Sequence, residues 1–373
     1  MRYGDRHMAT KSAGGVTDRT MYQPYEGSGP EPIGFLLIPG FSMMAFFSAV
    51  EPLRVANRLA GRPLFSWHAF SGDGEPVEAS NGMRLMVEGP VAALKGVPTL
   101  FTVAGFEPQV AATKRLLGTL RTLAREGLTL GALDTGVHLL AKAHLVDHVR
   151  VTMHWEAVSG FQEEFPEIEV SDELFEVAPG RITCAGGTAA LDMMLDMIGA
   201  KHGADLAVAV SEQFIHDRIR DRRAHQRMEL SSRLGVTNSR ILKIVDVMER
   251  NLEAPIGNDE LAAVAGVSSR QLERLFRLHL TTTPSAYYMR LRLERARQLL
   301  RQTDMSVVDI AMAAGFSSAS CLSRAYRARF GRPPRQDRHE LPAGMGGQVD
   351  QASPAGPPRA STRMRESNSS RST

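Results

Sequence analysis

The sequence predicts an α/β unit with an open, mostly parallel sheet, followed by an all-α unit with two helix-turn-helix segments. Three observations predict it. Short apolar runs alternate with longer helical patterns from about Glu31 to Gly199, as in parallel sheets covered by helices on both faces. Beyond Asn238 a helix–glycine–helix pattern occurs twice, 49 residues apart. Charge is also segregated. Residues 230–338 hold eighteen Arg and Lys against ten Asp and Glu, while the whole 373-residue chain carries only +3, leaving −5 for the remainder. A basic helical unit joined to an acidic one points to nucleic acid as the partner of the first.

The length suits two folded units with tails. Hydrophobic residues make up 43% of the chain, enough for ordinary cores. No apolar run approaches the roughly 20 residues that span a membrane, so no membrane partner is expected. The first twenty residues are charged and lack the apolar stretch of a secretory signal. Cys184 and Cys321 lie far apart in differently patterned regions. That excludes a disulfide framework and a cysteine metal cluster, and reads as a reducing cytoplasm. Neither a metal nor another cofactor is expected.

Taken in order, residues 1–30 read as a disordered arm. Strands are expected at 33–38, 65–70, 99–104, 128–133 and 181–185, each near-continuously apolar or β-prone, as strands buried on both faces are. Helices are expected at 42–59, 109–126, 135–143 and 188–198. This unit is assigned 31–200. A connector, 201–236, follows. Within it 204–228 reads as one helix ending in HDRIRDRRAHQRM, and is the element expected to carry coupling between the units. Residues 237–338 form the helical unit. From 339 to 373 the chain is rich in Pro, Gly, Ser and Arg without periodicity, and reads as disordered.

The first helix-turn-helix is DELAAVAGVSSRQLERLFRLHL, 259–280. Gly266 suits a left-handed turn, and Ser268 is placed to cap the next helix. Leu272, Leu275, Phe276 and Leu280 form one apolar stripe. The second, DIAMAAGFSSASCLSRAYRARF, spans 309–330 and repeats the Ala-Gly-x-Ser turn. Between them Met289, Leu293, Ala296 and Leu300 stripe a long helix. At about eighteen residues it spans roughly 27 Å, enough to hold two recognition helices about one DNA turn apart.

Residues 240–338 resemble the AraC-type regulator domain. The match is carried by RQLERLF (270–276), LRLERARQLL (291–300), SVVDIAMAAGFSSAS (306–320) and SRAYRARFGRPP (323–334). Cys321-Leu322 departs from the aromatic more usual there. The resemblance implies promoter DNA as a partner, with RNA polymerase and a second copy of the chain as further partners. Base-contact candidates are Ser269, Arg270, Gln271 and Arg274 in the first unit, and Ser318, Ser320 and Arg324 in the second. Arg suits guanine and Gln suits adenine in the major groove.

The corner GALDTGVHLL (131–140) and the strand order resemble the class I glutamine-amidotransferase-like fold in its PfpI-like branch. Enzymes of that branch present a nucleophilic cysteine at this corner. Here the residue is Asp134, a poor substitute for a thiolate, so no enzyme activity is expected. The alternative is a PfpI-like hydrolase or glyoxalase tethered to DNA. Asp134 also stands just before a helix, where capping is its minimum role. With ITCAGGTAALDMML (182–195) and SEQFIHDRIRD (211–221), the pattern over 31–338 resembles GlxA-like regulators. That implies a small-molecule effector such as a betaine, carnitine or arginine. Ligand-site candidates are Glu51, Asp134 and His154, with Phe41, Phe106 and Trp155 as walls. Anionic groups with aromatic walls suit a cation. Glu51 precedes Pro52, which disfavours helical geometry and is expected to turn its carboxylate toward the crevice.

Overall fold

The computed structural model describes residues 22–303 and 305–339. The arm before Tyr22 and the tail after His339 lie outside the described residues. The strands are β1 (Glu31–Leu37), β2 (Phe65–Ser71), β3 (Val77–Glu78), β4 (Arg84–Leu85), β5 (Gly89–Pro90), β6 (Thr99–Val103), β7 (Thr129–Leu133), β8 (Phe175–Ala178) and β9 (Arg181–Cys184). Seven of them form one sheet in the order β5-β2-β1-β6-β7-β9-β8. Its pairings are parallel except β8 with β9, and β3 pairs antiparallel with β4 in a separate ribbon.

The helices of this α/β part are α1 (Met43–Ala60), α2 (Lys114–Arg125), α3 (Val137–Lys142), α4 (Val158–Glu164), α5 (Ala189–His202) and α6 (Ala204–Gln213). Strand β1 shows why its sequence is apolar throughout. Ile33, Phe35 and Leu37 enter one core with α1, α5 and α6. Leu36 enters the other with α2, α3 and α4. Successive side chains alternate faces, and here both faces are covered.

Three expectations about this part change. The segment after α6 is not helical. It is a strap that returns across the sheet unit, because its polar groups bond outside themselves. Buried Asp192 accepts from the Arg220 backbone N–H at 2.7 Å and from its guanidinium at 2.6 and 2.9 Å, and pairs with His216 at 2.9 Å. Residues 22–30, expected in the disordered arm, are described, and Tyr22 anchors them while most of the rest is exposed. Tyr22 is buried and donates to Asp196 at 2.8 Å. Pro52 does not break α1, which runs through it; packing against α5 and α6 outweighs the lost backbone donor.

The remaining helices are α7 (Leu230–Leu234), α8 (Ser239–Arg250), α9 (Asn258–Val264), α10 (Ser269–Leu280), α11 (Pro284–Gln302), α12 (Val307–Ala313), α13 (Ala319–Phe330) and α14 (Pro334–His339). Two small cores hold them. Leu261, Leu272 and Phe276 pack with α8 and with Tyr287 and Tyr288 of α11. Leu293, Ala296 and Leu300 of α11 pack with α12 and α13. The 19-residue α11 therefore serves one unit with each end. The turns before α10 and α13 place Gly266 at φ 63° and Gly315 at φ 73°, which a side chain disfavours. Ser268 and Gln271 form a complete capping box on α10.

Candidate functional site

A cavity of about 190 Å³ lies at the carboxyl ends of β1, β6 and β7, where open α/β sheets place ligands. Ser42 follows β1, Phe106 and Glu107 follow β6, and Asp134 follows β7; all line the cavity. The loop from Met153 to Ala157 and Phe161 of α4 close the other side. Three residues with carboxyl side chains line the cavity, Glu107 and Asp134 at the strand ends and Glu156 on the facing loop, and no Lys or Arg is among the described lining residues.

Asp134 sits at φ 60°, in the left-handed region. Aspartate tolerates that region better than most side chains. The corner is fixed by its backbone N–H, which donates to Cys184 O at 3.0 Å. Burial pushes its carboxyl up to about 7, with neighbouring Glu156 adding to the rise. Hydrogen bonds from the Ser42 hydroxyl and the Thr135 backbone oppose the shift. Ser42 also caps α1, so the same hydroxyl position ties a helix start to the cavity floor. Asp134 does not cap α3. That helix begins at Val137, with Gly136 at its N-cap and no side-chain cap bond.

Two histidines line the cavity. Burial lowers the His154 pKa, which favours a neutral ring. His138 is buried and contacts Glu164 Oε2 through Nε2 at 2.7 Å, while its Nδ1 is buried without a partner among the described residues. The hydrogen bond with His138 and the neighbouring Lys142 hold Glu164 down at about 2. The His154 loop is pinned from outside by the strap. Gln226 donates to Met153 O at 2.9 Å and accepts from the Trp155 N–H at 2.8 Å.

The second candidate site is the exposed face of α10 and α13. Arg270, Gln271, Arg274, Ser320 and Arg324 are all exposed. Arg270, Gln271 and Arg274 line one shallow surface with Glu273 and Arg277. Three candidates also serve the fold. Gln271 completes the α10 capping box, Ser318 caps α13, and Ser269 bonds to Asp259 at 2.5 Å.

A family described as "Helix-turn-helix domain" matches residues 261–340. The HTH-type transcriptional regulator CdhR of Pseudomonas aeruginosa is 53% identical over 322 residues, covering 86% of this chain and 96% of that protein. The HTH-type transcriptional regulator GbdR of the same species is 44% identical, covering 86% and 88%. GlxA of Rhizobium meliloti, also an HTH-type transcriptional regulator, is 38% identical, covering 81% and 94%.

The chain belongs to this GlxA-type family of transcriptional regulators. It is a DNA-binding transcriptional regulator, as its relatives are. Its helical part carries the match to the helix-turn-helix family, and its α/β part precedes that match. Among the described residues, no helix is long and apolar enough to cross a membrane, and no group of three or more His, Cys, Asp or Glu could hold a metal ion.

For this GlxA-type chain the structure brings Asp134, His154 and Phe106 together in the cavity. It does not bring Glu51, Phe41 or Trp155 there. Glu51 remains on the unbroken α1 and bonds Arg54 at 2.6 Å. Phe41 is fully buried in the core, edge-on to Phe46 at 5.9 Å. Trp155 turns outward beneath Arg227 of the strap, 4.4 Å from its ring. Sequence reading missed Glu107 and Glu156. Each adjoins a cavity residue by one or two positions, in loops at strand ends, and that adjacency was the available signal.

Proposed function

We propose that this regulator is governed by a small nitrogen-containing cation held in the strand-end cavity. The observation that carries the reading is the lining of three carboxyl residues with Phe106 and Phe161 and no Lys or Arg among the described lining residues. Carboxylates attract a cation, and aromatic faces favour an ammonium or guanidinium group. Betaines, carnitine and arginine are the chemical class that fits. The raised carboxyl of Asp134 is ionised by such a ligand, since a nearby positive charge favours the anion.

The residues from 31 to 200 act as sensor, 201–236 as connector and 237–338 as reader. Arg270, Gln271 and Arg274 make the base contacts of the first unit. Ser269, Ser318, Ser320 and Arg324 contribute at the DNA surface, with the small side chains positioning rather than specifying. The ligand acts by binding two conformations with different affinity. The protein works as an activator on repeated promoter sites, as a dimer and with RNA polymerase. A thermal-shift screen of the full chain tests the ligand class. Betaines, carnitine or arginine raise Tm, while dicarboxylates of similar size do not. A shift with dicarboxylates alone contradicts the reading.

A further inference from the structure

One wall of the cavity comes from the reader. Gln302, the last residue of α11, lines the cavity beside Phe161. Its Oε1 is buried without a hydrogen-bond partner among the described residues. A buried amide oxygen left unsatisfied is unfavourable, and a donor placed in the cavity is positioned to satisfy it.

Helix α4 is the element between the two. On its cavity side it presents Phe161, and its Glu164 holds His138. On the other side Glu163 pairs with Arg295 of α11 at 3.5 Å, and Arg295 is only 14% exposed there. Gly160 makes the approach possible. A Cβ at this position would lie 2.8 Å from Thr303 Cγ2 and 3.5 Å from Gln302 Cβ. The same α11 end carries Leu299 and Leu300 into the core of the second helix-turn-helix unit.

We infer that Gln302 is an effector-binding residue supplied by the DNA-reading half, and that the ligand is held across the α4–α11 seam. The inference rests on the cation reading above. Occupancy sets the position of α11, and α11 joins the two reading units. Coupling thus runs through packed side chains rather than through the connector.

The test uses the full chain, with L-carnitine, glycine betaine and L-arginine as probes and a DNA fragment selected by the wild-type protein from a random pool. Gln302→Ala lowers affinity for L-carnitine or L-arginine, whose O–H or N–H can donate to Oε1, about tenfold; glycine betaine has no such donor and is read only for binding to wild type. It leaves the ligand-free Tm close to wild type and ligand-free DNA affinity within about twofold, and abolishes the ligand-dependent change in DNA affinity. Reciprocally, DNA alters probe affinity in the wild type and not in the variant. Wild-type binding of L-carnitine or L-arginine that Gln302→Ala leaves unchanged overturns this inference and spares the cation reading. Failure of all three probes to bind wild type overturns the cation reading and this inference with it. The seam also has a ligand-free readout. Gly160→Val, or the milder Glu163→Gln, shifts ligand-free DNA affinity at least threefold. Unchanged affinity in both folded variants overturns the seam as the coupling contact.

Discussion

Asp134 and Gly186 face each other so closely that a Cβ on Gly186 would lie 2.7 Å from the Asp134 Cβ. Two strand-end turns, after β7 and after β9, are docked by that approach. Gly186 also holds φ 82°, so a side chain is disfavoured there twice over. The contact helps to enclose the Asp134 carboxyl and accounts for part of its raised pKa. Gly186 is thereby explained as room for a neighbouring side chain, whereas a Cβ at Gly187 would meet nothing within 4 Å and that residue is marked only by its φ of 53°.

The raised carboxyl predicts a stability slope. Its folded pKa of about 7 lies above the ordinary value of 3.8. The folded state therefore holds a proton that the unfolded state releases between those values. Stability contributed by the neutral form is present below about pH 4 and is lost as pH rises through 7, by on the order of 4 kcal/mol at most. Urea unfolding at about pH 5 and about pH 8 checks it. Asp134→Asn gains stability relative to wild type at the higher pH, and parallel profiles would contradict the assignment.

Glu107→Gln and Glu156→Gln each weaken binding of a cationic probe, by at least on the order of 1 kcal/mol, the value for a charge pair about 4 Å apart in bulk water. Both lie outside the fold's cores, so Tm in the absence of ligand stays close to wild type. Calorimetric titration at low and high salt reads the effect. Equal affinities at low salt would remove these carboxylates from the site.

Arg274→Ala relaxes sequence preference and costs about 1–3 kcal/mol in specific DNA binding if its contact is bidentate. Its guanidinium is exposed on α10, so the fold is not disturbed. Competition between selected and scrambled DNA separates the outcomes. A loss equal on both sequences would make Arg274 a phosphate contact.

The strap is predicted to depend on Asp192. Its carboxylate is fully buried and accepts from Arg220, with His216 alongside. Asp192→Ala leaves those partners unpaired and destabilises by about 3 kcal/mol. Hydrogen exchange at 214–226 rises first, because that segment has few helical bonds of its own. Unchanged protection there would show that other contacts hold the strap.

Much of the fold was legible because periodicity reports burial. The five central strands and the striping of α10 and α11 follow from which faces meet a core. The turn glycines at 266 and 315 were legible because φ above zero restricts the residue type. What failed depended on contacts distant in sequence. The strap looked helical until Asp192, 24 and 28 residues earlier in the chain, claimed His216 and Arg220. Glu51 looked aimed at the crevice because a proline followed, yet helix packing kept it outside. Gln302 carried no local signal at all, since its place in the cavity arises from the docking of α11 against α4.

The central claim is that a small cation sits among Asp134, Glu156 and Glu107. Isothermal titration of the full chain with L-carnitine, glycine betaine and L-arginine at about pH 8 tests it most directly, with the Asp134→Asn/Glu156→Gln double variant run beside wild type. The account predicts that at least one probe binds wild type and that the double variant loses at least tenfold in affinity. Undiminished binding in the double variant, or no binding of any probe to wild type, would contradict it.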